Sequence, residues 1–328
     1  MSVTVWVTKA CNLSCKYCYE GQDKSCENMS FKTVEAVIQW IHIYMEKRKC
    51  TFLILRFHGG EPTINIDVVK YFVNKLNHEE GISVRYEMTT NGYHLTQEAL
   101  TFLCENMTRL SISLDGLKKI HDQYRVSANG LGTFDEVLKC AKIINKYEDK
   151  LVIRMTLNAK DVELLYQSVK ELVNNSFRNI IIVVNAFDEN WKLESVEELE
   201  LQCKRIRSTF INDEYNISLP IGTTCMNHGI CLGGIDTFNI LPNGELYPCP
   251  YAIEQEFCLG DVFGGIDQNN VDKILKISKM PLITCEGCGG YESCTSIRCK
   301  FFNKKITGEF DSPIALLCEL HRRNMNFT

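Results

Sequence analysis

Three cysteines lie close together near the start of the chain: Cys11, Cys15 and Cys18, in the run Ala-Cys-Asn-Leu-Ser-Cys-Lys-Tyr-Cys-Tyr. Thiolates at this C-x3-C-x2-C spacing can hold three irons of a four-iron cluster and leave the fourth bare. A bare iron is a place to do chemistry, whereas a fully ligated cluster mostly carries electrons. The competing reading is zinc, but a structural zinc wants four ligands, usually in two close pairs, and no further Cys or His stands at matching spacing. A second concentration of cysteines closes the chain: Cys225-x5-Cys231-x17-Cys249, then Cys285-x2-Cys288-x5-Cys294-x4-Cys299, and Cys318. These make two sets of four, again with paired zinc sites as the alternative.

Other motifs carry groups able to grip a charged ligand. In His58-Gly59-Gly60-Glu61-Pro62, Gly59 and Gly60 let the backbone come close to a ligand, and a carbonyl together with Glu61 can accept hydrogen bonds from an ammonium group. Thr90-Asn91-Gly92 is either a contact or an ordinary turn. Ser111-Ile112-Ser113-Leu114-Asp115-Gly116 is followed by His121-Asp122-Gln123-Tyr124-Arg125 and Gly130-Leu131-Gly132-Thr133-Phe134. Arg125 suits a bidentate carboxylate pair, the alternative being a surface ion pair. Asp188 and Glu189 are either proton acceptors near a site or a solvated turn. His42, His94, His121 and His228 have no partner spacing that points to a metal.

The elements that must position these groups alternate between strand and helix. Strand signals fall at 3–8, 52–57, 82–88, 110–114, 151–157 and 180–184. Helical spacing covers 31–47 (with Ser30 as cap), 66–76, 96–104, 133–147, 162–173 and 196–210. Six βα units with short apolar strands fit a parallel sheet buried on both faces. They are compatible with a doubly wound sheet or with a partial barrel. After about residue 215 helical periodicity fades and Gly, Pro and Cys become dense. A hairpin turn at Leu241-Pro242-Asn243-Gly244 and a short helix at 271–278 are expected there. That segment buries little apolar surface of its own, so metal is expected to take the place of core. The division is therefore 1–215 and 216–328.

Composition bounds the class. The net charge of −5 gives no basic footprint for nucleic acid. No apolar run approaches the roughly 20 residues that span a bilayer, and the start of the chain does not read as a secretory signal. A cytoplasmic protein with no membrane association is expected. Seventeen cysteines in a reducing compartment point to metal rather than disulfides, and to an anaerobic habitat. Cys26, Cys50, Cys104, Cys140, Cys203 and Cys258 stand apart and are assigned no chemistry.

Taken together, the cysteine run and the strand-end motifs resemble those of radical SAM enzymes, and the resemblance covers nearly the whole chain. It implies an α/β fold, a curved, partial (β/α)6 barrel with chemistry at the C-terminal ends of the strands. It also implies S-adenosylmethionine on the open iron of a [4Fe–4S] cluster held by Cys11, Cys15 and Cys18. By resemblance, Tyr17 packs on the adenine and the Gly59-Gly60-Glu61-Pro62 run binds the amino group of S-adenosylmethionine. Ser113 contacts the same molecule, Arg125 pairs with its carboxylate, and Asp115 and Asn91 are further contacts. The C-terminal cysteines resemble a SPASM domain with two auxiliary [4Fe–4S] clusters, three clusters in all. Cys225, Cys231, Cys249 and Cys299 would hold one, and Cys285, Cys288, Cys294 and Cys318 the other. The Cys294–Cys299 spacing is one residue longer than the commonest family pattern, and some relatives leave open the position matching Cys225.

The activity so implied is reductive cleavage of S-adenosylmethionine to a 5′-deoxyadenosyl radical, which takes a hydrogen atom from a peptide or protein substrate. The auxiliary clusters would receive the electron that must leave. Two branches compete: oxidative cross-linking of a ribosomally made peptide, thioether ahead of carbon–carbon, and anaerobic sulfatase maturation, which makes formylglycine from Cys or Ser. The sulfatase branch usually carries an Asp after the ligand matching Cys249. Here that residue is Pro250, which cannot accept a proton. A non-catalytic iron–sulfur electron carrier is a reading of another class, and it leaves the Gly59–Pro62 run and Arg125 unexplained. The expected partners are a flavodoxin or ferredoxin as electron donor and the peptide itself. Ten residues precede Cys11, so no leader-binding domain is expected ahead of it. The peptide then binds the barrel mouth directly or is presented by a separate leader-binding protein.

Overall fold

The computed structural model describes residues 1–22, 24–78, 81–147, 150–210, 214–222, 231–325 and 327. Its sheet grows from period-two alternation. β1 (Ser2–Thr8) turns Val3, Val5 and Val7 into the core, and β2 (Phe52–Gly59) does the same with Leu53, Leu55 and Phe57. The positions between them, among them Trp6, Arg56 and His58, share the opposite face because β1 and β2 run parallel with Trp6 beside His58. One face of the sheet is thus apolar and covered by helices, and the other is polar. This departs from strands buried in apolar surroundings on both faces.

The helices between strands follow their own period. α1 (Phe31–Arg48) is capped by Ser30, whose Oγ accepts from the Thr33 N–H at 3.1 Å, and it ends at Lys49 in the left-handed region. After β2 come α2 (Ile66–Leu76), β3 (Ser83–Thr90) and α3 (Gln97–Asn106), the last capped by Thr96. β4 (Arg109–Ser113), α4 (Lys118–Tyr124), α5 (Phe134–Ile144) and β5 (Leu151–Leu157) follow. A 3-10 turn over Ala159–Leu164 leads into α6 (Leu165–Asn174), then β6 (Asn179–Val184) and α7 (Leu193–Phe210). α4 was not expected from periodicity. It is two turns long, and its three buried residues are Ile120, His121 and Tyr124.

β1 to β6 lie side by side in chain order and all pair parallel. A doubly wound sheet reverses its order at a switch point, and this one does not. β7 (Asn216–Ser218) adds parallel to β6, so the sheet runs past residue 215. On the other flank β8 (Thr237–Ile240) pairs parallel with β1. From it hang the antiparallel strands β9 (Glu245–Tyr247), β10 (Gly260–Asp261) and β11 (Gly265–Ile266). The order is β11-β10-β9-β8-β1-β2-β3-β4-β5-β6-β7, an open sheet with β11 and β7 at its edges.

α8 (Gln268–Ser278), α9 (Thr295–Arg298), α10 (Lys300–Thr307) and α11 (Ala315–Met325) complete the chain. The last two stand where helical periodicity was expected to fade. α11 is tied to α7 by charge, with Arg323 reaching Glu200 at 2.8 Å and Glu197 at 3.6 Å. A single core cluster joins Val5 and Leu55 to Phe238, Phe257, Ile274, Phe301 and Leu320, so the C-terminal segment shares the barrel's core. Among the described residues, no helix is long and apolar enough to cross a membrane.

Candidate active site

The loop after β1 is laid against the segment after α4. Ser14 N–H donates to the Val126 carbonyl at 2.8 Å and Lys16 N–H to the Tyr124 carbonyl at 2.9 Å, which brings Arg125 beside the cysteines. Cys11, Cys15 and Cys18 are free, half-buried thiols. Burial pushes the Cys11 thiol up to about 11. Burial also raises Cys15, against the pull of the Arg125 guanidinium. Lys24 Nζ lies 3.1 Å from Cys18 Sγ. Among the described residues no three His, Cys, Asp or Glu side chains converge as ligands of one metal ion. A cubane asks for something else: three separate thiolates, one per iron, with cations nearby to favour the ionised form. Three reduced thiols on one clamped loop, beside a guanidinium and an ammonium, fit that donor set.

The strand ends above this loop hold two buried carboxylates. Glu61 is 1% exposed, and its Oε1 accepts from Thr63 N–H at 3.1 Å, Thr63 Oγ1 at 2.8 Å and Thr90 Oγ1 at 2.7 Å. Its Oε2 accepts from Asn91 N–H at 2.7 Å. Glu61 therefore ties the end of β2 to the end of β3, and burial raises its pKa despite these donors. Asn91 is also engaged. Its Nδ2 donates to Asn12 Oδ1 at 2.8 Å and lies 3.9 Å from Cys11 Sγ. A side chain at Gly59 or Gly60 would strike the carbonyl of Thr8 or Ala10, so these glycines let β2 leave the sheet against the exit of β1.

Asp115, fully buried, receives Arg125 Nε at 2.9 Å and Nη2 at 3.4 Å, the Thr156 N–H at 2.9 Å and the Tyr17 hydroxyl. Arg125 lies over the Tyr17 ring, 5.1 Å from its centroid. His121 orders the same corner. Its Nδ1 faces the Asp115 N–H at 3.4 Å, its Nε2 lies 3.1 Å from Thr133 Oγ1, and burial lowers its pKa to about 4. The structure thus joins Tyr17, Asp115 and Arg125 in one network. The sequence had marked each of the three separately, without the pairing between them. Ser113 ends β4 with Arg154 of β5 as its neighbour in register. His58 Nδ1 and Asn158 Nδ2 are buried without a partner among the described residues, so the mouth keeps polar atoms for a ligand such as S-adenosylmethionine to satisfy.

The C-terminal thiols stand in two neighbourhoods. Cys249 and Cys299 are raised by burial, and Cys249 also feels the charges of Cys299 and Cys231. Cys318 feels Cys294, Cys285 and Cys288. The buried Lys300 lies between the groups, sensing Cys285, Cys294 and Cys299. Cys225 and His228 lie outside the described residues. Pro250 lines a cleft of about 330 Å³ with Trp6, Tyr19, Glu20 and Lys24. Asp188 and Glu189 border a second cleft, of about 500 Å³, with Tyr17 and Cys18. Asp188 is engaged there, accepting from Ala159 N–H at 2.9 Å and Asn190 Nδ2 at 2.7 Å. Arg154, which periodicity alone did not single out, carries a signal in hindsight: it is the charged residue in the apolar strand Leu151–Leu157.

Residues 6–158 match the Radical SAM superfamily. The cysteine-type anaerobic sulfatase-maturating enzyme of Clostridium novyi (strain NT) is 27% identical over 322 residues, covering 87% of this chain and 84% of that one. The structure of native anSMEcpe with bound AdoMet and Cp18Cys peptide matches with a TM-score of 0.81 at 19% identity, over 99% of this chain and 96% of that one. Streptococcus suis SuiB bound to its precursor peptide SuiA matches with a TM-score of 0.67 at 16% identity, over 97% and 75%. At these identities the two structures speak for the fold. With the cysteine loop and the strand-end motifs gathered at one mouth of a singly wound parallel sheet, the chain carries a radical SAM domain and is an enzyme homologous to the anaerobic sulfatase-maturating enzymes.

Proposed function

We propose that the chain is a peptide maturase that makes an oxidative cross-link, thioether ahead of carbon–carbon, in a ribosomally made peptide. When bound, the cluster and S-adenosylmethionine supply one-electron cleavage of the sulfonium and a carbon-centred radical that takes hydrogen from the substrate. The chain's residues hold and orient. Cys11, Cys15 and Cys18 ligate the cluster. Ser113 and the Tyr17–Asp115–Arg125 network border the nucleotide, and the Gly59–Glu61 turn and Asn91 hold the strand ends in place around it. Residues 1–215 form the barrel unit and 216–328 the auxiliary unit, whose β7 and β8 extend the barrel's sheet at its two flanks. In the auxiliary unit Cys231, Cys249 and Cys299, with Cys225, carry one auxiliary cluster, and Cys285, Cys288, Cys294 and Cys318 the other. A cytoplasmic setting with a flavodoxin or ferredoxin as donor goes with this reading, the peptide either binding the barrel mouth directly or being presented by a separate leader-binding protein.

The observation that carries the cross-link reading is Pro250, which follows Cys249 and lines the cleft beside Tyr19 where a proton acceptor would stand for formylglycine formation. Formylglycine formation is the second reading, favoured by the 27% identity to the Clostridium novyi enzyme. Anaerobically reconstituted protein, S-adenosylmethionine and dithionite are incubated with a Cys-containing precursor peptide and, separately, with a sulfatase-motif peptide. Mass spectrometry should show loss of two hydrogens without an aldehyde. An aldehyde on the sulfatase peptide overturns the cross-link reading. Absence of 5′-deoxyadenosine overturns both and leaves an electron carrier.

A further inference from the structure

The polar face of the sheet carries a surplus of positive charge. By register, Arg56 on β2, Arg85 and Glu87 on β3, Arg109 on β4 and Arg154 on β5 share that face. Glu87 is the carboxylate among them. It is shared by Arg56 at 2.8 Å and Arg85 at 2.9 Å. No carboxylate among the described residues lies within ion-pair distance of Arg109 or Arg154.

Arg154 is the one of these set in the mouth. It neighbours Ser113 in register, and the charges that act on it come from Arg109, Tyr19, Tyr251 and Arg125. Tyr19 belongs to the cysteine loop, and Tyr251 follows Cys249 by two residues, with the two rings 6.1 Å apart. His58 is near enough to feel the same guanidinium, and its Nδ1 is a buried atom without a partner among the described residues. Glu20, whose charge acts on both Tyr19 and His58, is held by Lys24 at 3.1 Å. A half-buried guanidinium with no counter-ion among the described residues, within electrostatic reach of two tyrosines and an imidazole, is suited to receive a carboxylate.

We propose that Arg154 receives a carboxylate of the substrate, so that the peptide carries an acidic side chain next to the residue from which hydrogen is taken. The inference rests on the maturase reading and adds the substrate class. The methionyl carboxylate of S-adenosylmethionine is the other source of the same chemistry. The peptide is the source we favour, because the resemblance gives the nucleotide carboxylate to Arg125, which the Ser14 and Lys16 backbone bonds hold beside the cysteines, and that leaves Arg154 for the substrate.

The test uses the anaerobically reconstituted chain and two probes, acetyl-Gly-Glu-Gly-Glu-Gly-amide and its Gln counterpart, titrated by calorimetry with S-adenosylmethionine present. The wild type should bind the Glu probe roughly tenfold or more tighter than the Gln probe, the range for a charge-assisted pair. Arg154→Gln should bring that preference to within about twofold and leave S-adenosylmethionine affinity within about twofold. Arg154→Lys should keep part of the preference, and it decides the matter if the Gln variant fails to fold by far-UV circular dichroism. The proposal is overturned if the wild type shows no preference, or if either variant keeps all of it. It is likewise overturned if Arg154→Gln weakens S-adenosylmethionine tenfold while the probe preference stays. The same samples are assayed for 5′-deoxyadenosine. Its formation without a probe preference defeats this inference alone, and a preference without its formation defeats the maturase reading alone.

Discussion

Arg125→Met tests whether the strand-end network holds the fold as well as the ligand. Asp115 is fully buried and receives two of its bonds from Arg125, at 2.9 and 3.4 Å, with Thr156 N–H and the Tyr17 hydroxyl supplying the rest. Removing the guanidinium leaves a buried carboxylate with two neutral donors, and breaking a buried pair from one side costs about 3–5 kcal/mol. Unfolding entropy of about 2.1 cal/mol/K per residue makes about 0.7 kcal/mol/K for a chain of this length, so each kcal/mol moves Tm by roughly 1.5 °C. The expected loss is about 4–7 °C, read by differential scanning fluorimetry on cluster-free, reduced protein. Asp115→Asn should lose a similar amount because it strands the guanidinium. The double variant Arg125→Met/Asp115→Asn should recover part of the sum, since neither charge is then left alone. A single-variant loss under about 1 °C, or strictly additive losses, would refute the reasoning, because it would mean that the carboxylate finds water or another donor.

Two further outcomes follow from the same corner of the molecule. Gly60→Ala should lower the yield of folded protein and the melting temperature, because its Cβ meets the Ala10 carbonyl where β1 hands over to the cysteine loop; a melting curve identical to wild type would contradict this. His121, with a pKa lowered to about 4 by burial, binds fewer protons folded than unfolded. Its contribution is therefore full above about pH 6.5 and is lost as pH falls toward 4, by roughly 3 kcal/mol at most. His121→Gln should flatten the fall of the urea midpoint over that interval, and an unchanged slope would show that another group sets it.

How far the fold could be read beforehand depended on how local its signals are. Ile66–Leu76 and Leu151–Leu157 have the expected bounds because the apolar period acts within one element. Whether the sheet was singly or doubly wound stayed open in the sequence, because strand order is decided by which helix faces which strand, a long-range matter. α11 escaped because its hold on α7 is made by Arg323, Glu197 and Glu200 rather than by a broad apolar stripe. β7, β10 and β11 are three residues long or shorter, too brief for any alternation to show.

The site was legible in a different sense. Cysteine spacing and the glycine–glutamate turn name a chemistry because ligand geometry constrains neighbours along the chain. Pairings across the chain leave no such trace. Nothing in the spacing of Asp115 and Arg125 says that they meet, and nothing in Gly59 and Gly60 says that the atoms they make room for are the carbonyls of Thr8 and Ala10. The same holds for the polar face. A lone arginine in Leu-Val-Ile-Arg-Met-Thr-Leu is visible as an exception, but its meaning appears only when Arg56, Arg85 and Arg109 from three other strands come to share its face with a single glutamate. An enzyme that must select one carbon of one peptide needs contacts beyond its cofactor. In this chain the charged groups left without a partner among the described residues are the place to look for them.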